Sequence, residues 1–117
     1  MVSLSGPTIH SAGTATATLR PWDGPITFIV DGVAIPALLE NVVATDRTTT
    51  LGVNGRTVSL VEHLLAALRI AGFHSGVCVD VRGHEMPILD GSAQPWLEAI
   101  AGLGDPPAAR EPIRLER

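Results

Sequence analysis

One segment of this chain carries a long helical period, and runs that read as strands surround it. Residues 60–71 place Leu64, Leu68 and Ala71 at helical spacing, and Gly72 follows as a stop. Ser59 stands where an N-cap would, with Glu62 three residues on, the spacing of a capping box. Before it, Asn54-Gly55 is a strong turn dipeptide, so residues 48–53 and 56–58 are predicted to pair as a hairpin. Asp31-Gly32 gives a second hairpin, between strands predicted over 26–30 and 33–35. Thr14 to Leu19 alternates polar and small apolar residues as a half-buried strand does, and Pro21, Asp23, Gly24 and Pro25 then read as a turn. Residues 38–44 are compatible with helix or strand.

After the helix, residues 76–82 read as a strand with Val77, Val79 and Val81 on one face. A second helix is predicted over 93–101, with Ser92 as N-cap and Gly102 as stop. Strands grouped around two helices, without βαβ alternation, predict an α+β fold: a two-layer sandwich with a mostly antiparallel sheet. Residues 1–104 form one domain in this reading. Residues 105–117 form a linker-like tail through Asp105-Pro106-Pro107, with the start of something strand-like at Ile113.

Composition excludes several function classes. Apolar residues make up 45% and charged residues 17%, which is globular and not disordered. The net charge is −4, there is no lysine, and the arginines are scattered, so nucleic-acid binding through clustered cations is not expected. No apolar run reaches the length of a membrane span, and the N-terminus has neither a basic region nor a long apolar region of the signal-peptide kind. Cys78 is alone in an apolar run and reads as an inert core thiol in a cytoplasmic protein.

The residues able to carry chemistry are few. Glu62 and His63 put a carboxylate and an imidazole side by side at the start of the helix, one proton carrier and one metal ligand. Four residues past His63 stands Ala67, so the helix offers one metal ligand at most. Each also has a plain structural reading: Glu62 as the return arm of a cap on Ser59, His63 as a hydrogen-bonded core imidazole. His10 falls in a loop before the first predicted strand, and His74 and His84 lie at surface turns. Asp90-Gly91-Ser92 reads as turn and cap chemistry. No Gly-rich phosphate loop and no nucleophile elbow are present.

Taken together, Val61-Glu62-His63-Leu64-Leu65-Ala66-Ala67-Leu68 and Met86-Pro87-Ile88-Leu89-Asp90-Gly91-Ser92-Ala93 resemble the N-terminal domain of the zinc-dependent UDP-3-O-acyl-N-acetylglucosamine deacetylases of lipid A biosynthesis. Weaker echoes are Ile9-His10-Ser11 with Gly13, Leu19-Arg20-Pro21 and Thr45-Asp46-Arg47-Thr48-Thr49. The resemblance implies one half of a fold of two similar α+β domains, with the active site between them. It implies zinc held in part by His63, Glu62 as general base, His10 near the site, and a mainly architectural turn at Asp90 and Ser92. It implies a nucleotide-sugar substrate that loses its N-acetyl group as acetate. In the family the other two zinc ligands, a further Lys and a further His come from the second domain. The chain is therefore expected to be inactive alone and to need a separately encoded second half or a second copy of itself. The face that meets this partner, on the sheet or on the helices, is expected to be apolar. The competing expectation is a non-catalytic binding domain descended from the same family.

Overall fold

The computed structural model describes residues 1–8, 13–45, 49–83, 85–87, 89 and 94–104. Eight strands and two α-helices are built from these residues. The larger sheet has five strands in the order β1-β2-β8-β3-β4: β1 (Val2–Pro7), β2 (Thr14–Pro25), β8 (Ser75–Arg82), β3 (Thr27–Val30) and β4 (Val33–Pro36). Every pairing in it is antiparallel except that of β3 with β8. The smaller sheet is β5 (Val42–Ala44), β6 (Thr50–Val53) and β7 (Arg56–Ser59). Helix α1 is Glu62–Ile70 and α2 is Gln94–Ala101. The fold is α+β, as the grouping of elements in the sequence predicts.

Alternation decides which face of the large sheet is covered. Ala15, Ala17 and Leu19 of β2 and Val77, Val79 and Val81 of β8 are buried, and they meet Phe28, Val30 and Ile35 from the next two strands. Leu64, Ala67 and Leu68 of α1 and Trp96 and Ile100 of α2 close over them in one core, with Leu51 and Val58 of the smaller sheet and Met86. The opposite face carries hydroxyls. Ser3 Oγ lies 2.7 Å from Thr18 Oγ1 and Ser5 Oγ 2.8 Å from Thr16 Oγ1. Farther along the same face, Arg20 Nε donates to Asp80 Oδ2 at 2.7 Å, which pushes the guanidinium's pKa up.

Both dipeptide turns form as predicted. Asp31 and Gly32 take φ of 52° and 80°, and Asn54 and Gly55 take 53° and 79°, the left-handed pair of a type I′ hairpin. The tips meet through Arg56 Nε and Asp31 Oδ2 at 3.4 Å. Gly72, φ 92°, ends α1 with two reverse bonds: Phe73 N–H to the Leu68 carbonyl at 2.8 Å and Gly72 N–H to the Arg69 carbonyl at 3.1 Å.

Two expectations need correction, and one open segment resolves. Strand β1 precedes what the sequence presented as the first strand; its serines and terminal proline are poor strand formers, and its pairing with β2 overrides that preference. Strand β2 continues through the predicted turn to Pro25, with a register irregularity between Pro21 and Pro25. Prolines are tolerated there because β1 begins, at Val2, opposite Leu19 and leaves that edge of β2 beyond Leu19 without a ladder. Residues 38–44 resolve into a 3-10 turn, Leu39–Asn41, followed by β5. The outer face of β1 and β2 is a hydroxyl ladder, and among the described residues the large apolar side chains left exposed are Met1, Leu38, Leu39, Val43 and Ile70. Among the described residues no helix is long and apolar enough to cross a membrane.

Candidate active site

The junction between β7 and α1 positions Glu62 and His63. Strand β7 ends at Ser59, whose carbonyl accepts from Met86 N–H at 2.9 Å and which bridges Glu85 in parallel. Leu60 then turns the chain with φ 63°, a left-handed conformation that a bulky side chain rarely adopts. Its side chain is only 6% exposed, so packing holds the strained turn in place. Helix α1 starts two residues later, with Val61 as its N-cap and no side-chain cap bond.

This geometry overturns the capping-box reading. Ser59 belongs to β7, and its Oγ lies 2.9 Å from Thr50 Oγ1 across the strand pair. The Glu62 carboxylate does not return to Ser59. It accepts the backbone N–H of Thr49 through Oε1 at 3.2 Å. The Thr49 carbonyl in turn accepts Leu60 N–H at 3.1 Å. Both backbone groups of Thr49 therefore grip the turn that delivers the Glu62-His63 pair.

Glu62 and His63 are both half-buried. Among the described residues no hydrogen bond holds the His63 ring, so it is not the satisfied core imidazole that was one reading of it. The described residues contain no group of three His, Cys, Asp or Glu side chains able to hold a metal. Catalytic zinc takes three protein ligands and a water, so the described donor set fits it only in part, through one imidazole. His10, Asp90, Ser92 and His84 lie outside the described residues, as does the tail from Asp105 onward.

The segment of the second motif that is described lies beside this junction. Met86 is fully buried in the core, and Leu89 packs against it at the margin. Gly6 of β1 sits beneath Pro87 and Leu89: a Cβ there would come within 3.3 Å of Leu89 Cδ2 and 3.5 Å of Pro87 Cβ. The two motifs that stand apart in sequence are thus joined through Ser59, Glu85 and Met86. What sequence reasoning missed is Thr49, because a backbone donor leaves no trace in residue type. Leu60 was equally invisible, since nothing in a leucine signals a left-handed turn.

Helix α2 packs beside α1 and presents no titratable side chain except Glu98, to which Gln94 Nε2 donates at 3.3 Å. Cys78 is buried in the central strand, and burial pushes its thiol's pKa up.

A family model described as UDP-3-O-acyl N-acetylglycosamine deacetylase matches residues 1–117. Proteins named UDP-3-O-acyl-N-acetylglucosamine deacetylase are similar over most of the chain. That of Anaeromyxobacter dehalogenans is 47% identical, covering 99% of this chain and 39% of its own. That of Geotalea uraniireducens is 45% identical, covering 88% of this chain and 35% of its own. That of Myxococcus xanthus is 42% identical, covering 100% of this chain and 40% of its own. The chain spans between about a third and two fifths of the length of these curated relatives. On this coverage and identity, the chain belongs to the UDP-3-O-acyl-N-acetylglucosamine deacetylase family.

Proposed function

We propose that this chain supplies the Glu62-His63 half of a zinc-dependent deacetylase that hydrolyses the N-acetyl group of an acylated nucleotide sugar. The observation that carries the reading is the half-buried pair at the head of α1, with Glu62 tied to Thr49 and not spent on capping its own helix. His63 would be one of the metal's ligands, and the metal would supply Lewis-acid polarisation of the acetyl carbonyl. Glu62 is the general base: its carboxylate takes a proton from the attacking water. The proton then passes to the leaving amine as acetate departs. His10 lies near the site in this reading, and Asp90 and Ser92 hold the turn of the second motif.

Completion of the ligand set falls to residues beyond these 117, to a separately encoded polypeptide, or to a second copy. By itself the chain is inactive in this reading. Its place is the cytoplasm, where nucleotide sugars are made.

Elemental analysis of the purified protein, with His63→Ala as control, tests the proposal. Stoichiometric zinc in the complete assembly, lost in the variant, is the expected result. A folded assembly without zinc would make this a non-catalytic member of the family.

A further inference from the structure

The junction at Leu60 has a second property, which deepens the reading above and rests on it. A glutamate in the first turn of a helix has long, mobile torsions, and its ordinary use is to bind the free N–H groups of its own helix end. Glu62 is used otherwise. Its Oε1 accepts from Thr49 N, thirteen residues earlier in the chain, on the approach to β6. Among the described residues this is the only hydrogen bond to the Glu62 carboxylate. Thr49 is itself fixed, because its carbonyl accepts Leu60 N–H and the next residue, Thr50, is held to Ser59 by backbone pairing and by the hydroxyl contact. Leu60 in turn is locked by burial in a conformation it would otherwise leave. The donor, the turn and the carboxylate form one closed loop of contacts.

We infer that the backbone N–H of Thr49 is a positioning group for the Glu62 carboxylate, fixing one oxygen so that the other is presented to the reacting water. The bond acts on orientation. A general base must sit within hydrogen-bond reach of the proton it takes, and an error of about 1 Å in such placement costs on the order of 100-fold in rate. A charge-assisted bond from a fixed backbone amide supplies that constraint without adding a second titrating side chain.

Amide hydrogen exchange on the full chain tests the contact independently of metal and of activity. The Thr49 amide is expected to be protected, and to lose about 10-fold of that protection or more in Glu62→Ala, with an intermediate loss in Glu62→Gln. The Leu60 amide, bonded to the Thr49 carbonyl, should keep its protection in both variants. An unprotected Thr49 amide, an unchanged rate in Glu62→Ala, or parallel loss at Thr49 and Leu60 would overturn the inference; the last would make Glu62 a brace of the turn. In the complete enzyme, Thr49→Pro, or an ester replacing the Thr49 amide where proline prevents folding, should lower kcat by about 10- to 100-fold at unchanged KM and zinc content. An unaltered kcat in either folded variant would equally overturn it. Activity surviving Glu62→Ala would instead sink the proposed function and leave the exchange result standing.

Discussion

Leu60 sets backbone strain against burial, and magnitude decides between them. A left-handed conformation costs a non-glycine residue about 1–2 kcal/mol, and glycine would remove that cost. The side chain of Leu60, however, is almost wholly buried in the core, and truncating such a leucine costs about 2–5 kcal/mol. Packing outweighs the strain. Leu60→Gly is therefore expected to destabilise the protein by about 1–3 kcal/mol net in chemical denaturation; a gain in stability would show that the strain dominates. Cys78 makes a separate statement at the same scale. Its folded pKa is raised above the ordinary thiol value of 9.0, chiefly by burial, with Asp80 adding to the rise and Arg20 opposing it. As pH passes 9.0 the unfolded thiol loses its proton first, which favours the unfolded state until the folded thiol also ionises. The thiol's contribution is thus complete below pH 9.0 and is lost above it. Urea titrations across that range should show a decline in stability that Cys78→Ala reduces. An identical slope in the variant would assign the decline to other groups.

At the scale of elements, legibility followed the chemistry of the turn. Asp31-Gly32 and Asn54-Gly55 announced β3–β4 and β6–β7 because left-handed backbone there demands those residues. Gly72 announced the end of α1 for the same reason. Strand β1 was missed because its alternation of Val2 and Leu4 with Ser3 and Ser5 is short and ends in Gly6 and Pro7. Its place comes from partners: the hydroxyl contacts to Thr16 and Thr18, and the close approach of Pro87 and Leu89 over Gly6. That approach gives a test. Gly6→Val would drive side-chain atoms into a space already filled to 3.3 Å, and overpacking of this kind costs about 1–3 kcal/mol. Thermal unfolding should show the loss, whereas Gly32→Ala, where nothing lies within 4 Å, should cost only its backbone strain. Equal losses at the two glycines would mean that the second motif does not seat on β1. The site was legible as far as the adjacency of Glu62 and His63. The contact that orients the carboxylate was not, because it depends on tertiary placement of a main-chain donor.

On the scale of the whole molecule, the family and the α+β class were legible because both motifs and the grouping of strands are properties of residue order. The sheet order was not, since nothing in the run of valines from Val77 to Val81 states which strands flank it. Strand β8 lies between β2 and β3, and Arg20 pairs with Asp80 across sixty residues of chain. Synthesis proceeds from the N-terminus, so β2 and β3 emerge early and wait for the strand that separates them. Until β8 arrives, the ladder edges that β2 and β3 turn towards it lack their partner. Sheets closed by such distant pairs form slowly. The nascent protein thus passes through a long interval in which its most adhesive surfaces are open, and it is in that interval, more than in the finished fold, that chaperones have the most to protect.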